Sequence, residues 1–184
     1  MTAEAGAERQ ARGGIENWMC PPLDGWTWEE VQELDAPFDW DLVDGAVVVR
    51  GAARVWHQLV RDQMRFELGL PGRAPYAVNG GQWVALDERN VLRPDVIAFD
   101  STGLDVTALT AVPAANVVLA VEIVSPGSRN SDYFLKPGMY AEAGIASYWR
   151  VERGEDSVPV VHEFWRHHET STLPAPNSPP TPAS

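Results

Sequence analysis

The sequence predicts a mixed α/β (α+β) domain, a central sheet with helices packed against it, on three observations. Val117–Val124 is almost continuously apolar, as a strand buried on both faces should be, and Glu122 is its sole charge. Shorter apolar runs bounded by turn residues lie on either side of it in the chain. Two further segments, Arg54–Leu68 and Ser131–Ala143, carry helical patterns instead.

Taken in order, residues 1–17 are Ala-, Gly- and Glu-rich and are expected to be disordered. Thr27-Trp28-Glu29-Glu30 reads as a capping box opening a short helix to about Leu34. Phe38–Val43 alternates apolar and acidic residues, Asp44-Gly45 supplies a hairpin turn, and Ala46–Val49 returns. Arg54–Leu68 has apolar residues at 55, 56, 59, 60, 64, 66 and 68, helical spacing with a broad buried face that Gly69 and Pro71 end. Tyr76–Val78 and Gln82–Leu86 are strand candidates, and the turn Asp87-Glu88-Arg89-Asn90 leads to a third, Val91–Phe99, interrupted by Pro94. Ser101–Asn116 reads as a loop with a short helical turn. Within Ser131–Ala143, Pro137-Gly138 should kink the helix or delay its start. Ser147–Val151 and Pro159–Trp165 close the pattern as strands. The proline-rich stretch 168–184 cannot bury enough surface to order itself, which leaves a domain over 18–167.

With 184 residues, 45% of them hydrophobic, the chain has ample core for one domain. No apolar run approaches the ~18–20 residues that span a bilayer, and no signal or transit peptide is recognisable. Cys20 stands alone, which excludes an internal disulfide or a multi-cysteine zinc site and suits a soluble protein of the reducing cytoplasm with no membrane partner. The net charge of −12 weighs against nucleic-acid binding, since phosphate affinity comes from Lys and Arg. Its distribution softens that objection. Residues 1–44 hold 11 acidic and 2 basic residues, residues 45–184 hold 15 and 12, and so only −3 belongs to the body of the domain. No glycine-rich phosphate loop, GxSxG elbow or HExxH motif occurs.

Glu122 is the residue most in need of an explanation, because a carboxylate inside an apolar strand is costly unless a cation or hydrogen bonds compensate it. The structural reading is a buried ion pair with an arginine; the functional one is a metal site. Asp95 follows Pro94 and opens the apolar segment Val96–Phe99, from which it could join Glu122 in an oxygen-rich site for Mg²⁺ or Mn²⁺. Asp132, Lys136 and Tyr140 recur at i, i+4 and i+8 on one helical face. A surface Asp–Lys pair is the plainer account of them, and an arginine-rich genome would explain why Lys136 is the only lysine. His57 lies mid-helix beside apolar positions, where a packing role competes with that of a ligand. The eight tryptophans lack a repeat spacing and read as core or interface anchors.

These residues together resemble the Uma-two family, a bacterial group of restriction-endonuclease-like proteins within the PD-(D/E)xK nuclease superfamily. The resemblance rests on Pro94-Asp95, on Val121-Glu122-Ile123-Val124-Ser125-Pro126, on Asp132, Lys136 and Tyr140-Ala141-Glu142-Ala143-Gly144, and on Tyr148-Trp149. The Asp41–Gly45 hairpin and the helix bearing His57 match as well. The resemblance implies a restriction-endonuclease-like central mixed sheet flanked by helices, with Asp95 and Glu122 holding the divalent metal. The superfamily's lysine slot, two residues after Glu122, is Val124 here, and the resemblance gives Lys136 that role. It also sets an acidic residue at position 46, where this chain has Ala46.

The expectation is therefore a Mg²⁺- or Mn²⁺-dependent endonuclease acting on DNA. Asp95 and Glu122 would bind the metal and Lys136 would stabilise the transition state, while His57, Asp132 and Tyr140 position the groups around them. Two rivals stand beside it. One is a catalytically degenerate fold used for binding or assembly, as a homodimer through its tryptophans. The other is a nuclease for RNA or short structured substrates.

Overall fold

The computed structural model describes residues 18–69, 71, 73–166 and 173–174. The stretches 1–17 and 168–184, expected to be disordered, lie outside the described residues except for Leu173–Pro174. In chain order the elements are α1 (Trp28–Val31), β1 (Trp40–Val43), β2 (Ala46–Val49), α2 (Val55–Leu68), β3 (Tyr76–Gly80), β4 (Trp83–Ala85) and β5 (Val91–Leu92). They continue as β6 (Val96–Asp100), β7 (Ala111–Pro113), β8 (Val117–Ile123), α3 (Lys136–Glu142), β9 (Ser147–Arg153), β10 (Pro159–Trp165) and β11 (Leu173–Pro174).

The strands form two mixed sheets. One has the order β2-β1-β5-β4-β7, the other β11-β10-β9-β8-β6-β3. Each contains one parallel pair, β4 with β7 and β8 with β9, and is otherwise antiparallel. The apolar run around Glu122 is the interior strand β8 of the larger sheet, as its composition predicts. The segment Val91–Phe99 is not one strand but two, and they belong to different sheets. Pro94 cannot donate to a ladder, so pairing stops there. The chain then crosses from one sheet to the other between Leu92 and Val96, which sets Asp95 at the crossing. Ala111–Pro113, expected to be loop, forms β7 because its parallel partner Trp83–Ala85 supplies the register that three residues cannot encode.

Side-chain alternation along β8 settles which face Glu122 uses. Leu119, Val121 and Ile123 pack with Val60 of α2, whereas Ala120 joins the cluster containing Tyr140, Tyr148, Val84 and Leu92. Glu122, two residues from Ala120, points to that second face, where α3 and the smaller sheet lie. Helix α2 begins and ends where expected, yet its buried stripe is narrower than its composition implies. His57 and Val60 are buried and Trp56, Met64 and Leu68 partly so, while Val55, Leu59 and Phe66 are more than half exposed. A single sheet face covers only one side of a helix, and no described element packs against the other.

The expected break near Pro137 is a π-turn. Ser131–Leu135 is wound more widely than an α-helix, and the Lys136 N–H donates to the Ser131 carbonyl five residues back. Such bulges often lie at functional sites. At the other end of the fold, the Thr27 N–H and hydroxyl both donate to Glu30 Oε2, at 2.8 and 2.9 Å. Trp28, Trp40 and Trp83 stack with centroids 4.5–6.2 Å apart, and Trp18 and Trp26 join them in a second core. The tryptophans thus serve the interior; Trp165 is the one that is exposed.

The β1–β2 hairpin turns on Asp44 (φ 48°) and Gly45 (φ 73°), both left-handed. A Cβ on Gly45 would lie 2.8 Å from the Cα of Gly25. Gly45→Ala should therefore cost about 2 kcal/mol or more in thermal or urea unfolding, from the left-handed conformation alone plus the contact. A cost below 0.5 kcal/mol would show that the turn relaxes. This hairpin matters because it carries two residues of the site.

Candidate active site

Glu122 is 1% exposed, and its two carboxylate oxygens have separate tasks. Oε1 accepts from the Lys136 ammonium at 2.9 Å and the Tyr140 hydroxyl at 2.6 Å. Oε2 has no hydrogen-bond partner and faces Arg50 Nη2 at 3.6 Å. Asp95 divides its oxygens in the same way. Oδ2 accepts from the Ile123 N–H at 2.7 Å and lies 3.1 Å from His57 Nε2, while Oδ1 faces the same Arg50 Nη2 at 3.4 Å. One oxygen of each carboxylate is thus fixed by other groups, and the second oxygens converge on a single guanidinium nitrogen, which donates to Asp95 Oδ1.

Lys136 Nζ lies within reach of three carboxylates: Glu122 at 2.9 Å, Asp132 Oδ1 at 3.4 Å and Asp41 Oδ2 at 3.6 Å. Asp132 is buried, and neither of its oxygens has a hydrogen bond. Asp41 comes from β1, where its Oδ1 accepts from the Arg93 N–H at 2.8 Å. Arg50, just past β2, donates through Nη1 to the Arg93 carbonyl and approaches Asp41 at 3.8 Å.

All six residues expected from the sequence therefore meet, as Asp95, Glu122, Lys136, Asp132, Tyr140 and His57 occupy one cluster. Lys136 and Asp95 are joined indirectly, through Glu122 and Arg50. Sequence reasoning missed Arg50 as a site residue and saw Asp41 only as part of a hairpin motif. Ala46 is exposed beside the turn, so the hairpin's acidic contribution comes from Asp41.

The electrostatics follow from burial. Four carboxylates (Asp41, Asp95, Glu122, Asp132) face two permanent cations (Arg50, Lys136), so full ionisation leaves two negative charges for His57, 3.1 Å from Asp95, or a bound cation to offset. Desolvation pushes the Glu122 carboxyl up to about 7; Lys136 and Arg50 oppose the shift and Asp132 and Asp95 add to it. Burial raises Asp132 as well, against the pull of Lys136. Asp95 goes the other way: burial would raise it, but the His57 hydrogen bond, Arg50 and the Ile123 N–H together hold it below the ordinary range. Burial alone would lower Lys136; Glu122 and Asp41 reverse that and keep it protonated.

Among the described residues, no group of three or more His, Cys, Asp and Glu side chains is arranged as a metal cage. The donor set nevertheless suits a hard divalent ion that keeps most of its waters. Glu122 Oε2, which has no hydrogen-bond partner, and Asp95 Oδ1, which is held only by Arg50, both turn to one cationic atom, Arg50 Nη2, and the carboxylates outnumber the Arg and Lys side chains by two. Two cavities adjoin the cluster and share His57 and Ser125 in their walls. Arginines 50, 54, 61, 93, 129 and 153 line them, six of the 13 in the chain, so positive charge is gathered here despite the overall balance.

A crystal structure described as "a putative nuclease belonging to DUF820" from Anabaena variabilis ATCC 29413 is similar to this chain with a TM-score of 0.59. The two are 14% identical, over 85% of this chain and 89% of that one, so the likeness is one of fold. No curated protein matches the chain. The sequence model of the Uma2 family, described as "Putative restriction endonuclease", matches residues 28–182, and the chain belongs to that family.

Proposed function

We propose that the chain is a divalent-metal-dependent nuclease that hydrolyses phosphodiester bonds of DNA, with Mg²⁺ or Mn²⁺ held by Asp95 and Glu122. The convergence of Glu122 Oε2 and Asp95 Oδ1 on one cationic atom, within a cluster of four carboxylates and only two Arg and Lys side chains, carries this reading. The bound ion would polarise a phosphoryl oxygen and lower the pKa of a water. The protein's own residues do the rest. The Ile123 N–H and His57 orient Asp95, while Lys136 and Tyr140 orient Glu122 and favour its ionised form at the oxygen turned away from Arg50. The Lys136 side chain is 3% exposed, so its effect on the reaction passes through Glu122. Arg50, 17% exposed at the smaller cavity, is the cation better placed to meet a substrate phosphate.

Calorimetric titration of the full chain with Mn²⁺ tests the metal site apart from cleavage. One ion should bind, and its apparent affinity should fall by up to about tenfold per pH unit below 7, because Glu122 must give up its proton first. Absence of binding at pH 8 would leave the second reading, a nuclease fold that binds without cutting. Arg50 already standing between the two carboxylates is the observation that favours that rival.

A further inference from the structure

We infer that the larger cavity beside the carboxylates receives one unpaired nucleotide, so that the substrate strand is single-stranded where it is cut. This deepens the nuclease reading and rests on it. The cavity measures about 400 Å³, within the range of small-molecule sites, and meets the carboxylate cluster at His57. Trp56 and Tyr133, both half-buried, form part of its wall. Both rings are held in place: the Trp56 indole N–H donates to the Ser157 carbonyl at 2.8 Å, and the Arg150 guanidinium covers one face of Tyr133, 3.7 Å from its ring centroid, so that a base can use only the other face. A base offers its flat face to such rings only when it is out of the duplex stack.

Charge points the same way. Arg54, Arg129 and Arg153 are exposed around this cavity, and none has a carboxylate within 4.0 Å among the described residues. In a chain with 26 acidic residues, three guanidiniums at one opening without a carboxylate are poised for an outside anion, although Arg153 donates to Ser157 Oγ at 2.6 Å and Arg129 lies 5.4 Å from the Tyr133 ring centroid. The acidic wall residue, Glu152, is already engaged by Arg150 Nε at 2.9 Å. An apolar-walled hollow with aromatic rings and rim arginines matches a base and its flanking phosphates, whereas a base pair locked in a duplex cannot enter it.

Fluorescence anisotropy in EDTA tests this without cleavage, using a labelled short single-stranded DNA, the same sequence as RNA, and the matching DNA duplex. The single strand should bind at least about tenfold tighter than duplex, and comparison of DNA with RNA names the sugar. Tyr133→Leu should weaken single-strand binding about 5- to 150-fold, the range of one stacked base, and Arg129→Ala/Arg153→Ala should weaken it most at low salt. The double variant should also reduce the salt slope by about 1.4. Arg89→Ala, an arginine outside the cavity, serves as control, and unchanged melting temperatures confirm folding. Equal or tighter duplex binding, or variants that bind like the control, would overturn the assignment. Cleavage with Mn²⁺ is scored separately. Single-strand binding that these variants abolish, without any cleavage, removes the nuclease reading and keeps the pocket; duplex cleavage with no single-strand preference does the reverse.

Discussion

Lys136→Met should cost roughly 3–5 kcal/mol of folding stability at pH 8, the usual effect of stripping one partner from a buried ionic network. The side chain is 3% exposed, and its ammonium faces Glu122, Asp132 and Asp41 at 2.9, 3.4 and 3.6 Å. Without it, Arg50 and His57 alone face the four carboxylates. Methionine preserves most of the volume, so the loss reads charge rather than packing. The pH dependence separates the two further. Burial already raises Glu122 to about 7 and lifts Asp132 above its ordinary range. Losing Lys136 should raise both again, and at pH 5 they escape the penalty by taking up protons. The deficit measured by urea unfolding should therefore shrink from pH 8 to pH 5 and recover in part when Mn²⁺ is added. A cost equal at the two pH values would reduce Lys136 to a packing residue.

Much of this cluster could be read in the sequence, and what could not has a definable cause. A lone carboxylate in an apolar strand must have buried partners, and the i, i+4, i+8 spacing of Asp132, Lys136 and Tyr140 put them on one face; local periodicity suffices for both. Arg50 could have been found by register. The Asp44-Gly45 turn pairs Asp41 with Val48, so Arg50, two residues on, lies on the same face as a diagonal neighbour of Asp41. What register cannot supply is the meeting of that hairpin with β8, because the two belong to different sheets. Their contact depends on the crossing at Pro94 and on how the sheets pack, neither of which has a local signature. The same limit explains β7, a three-residue strand that only its parallel partner defines. Net charge misled for a related reason: −12 describes the whole chain, while the fold collects arginines from six separated positions around two adjoining cavities.

Glu122→Gln should lower metal-dependent cleavage by at least about a hundredfold while costing clearly less stability at pH 8 than Lys136→Met. The amide oxygen can still accept from Lys136 and Tyr140, which now bond Oε1 at 2.9 and 2.6 Å, so the packing is kept, while the amide NH2 replaces Oε2 at 3.6 Å from Arg50 Nη2 and forfeits that attraction. The charge ratio improves from four against two to three against two. The sign of the pH effect follows from the raised carboxyl. Between a glutamate's ordinary 4.5 and about 7, the folded state holds a proton that the unfolded chain has released. The contribution of Glu122 is therefore most favourable below 4.5 and is lost as the pH rises through 7. Glutamine removes that slope, so the stability of the variant should vary less with pH between 5 and 8 than that of the parent. Mn²⁺ affinity should drop with the activity, since one of the two carboxylates that would hold the ion is now neutral. The contrast with Lys136→Met is the decisive part. The same hydrogen-bonded pair would lose stability when its cation is removed and activity when its anion is neutralised, as expected if burying Glu122 serves chemistry rather than the fold. A variant that cuts normally, or that unfolds as readily as Lys136→Met, would show that Glu122 is there to hold the protein together.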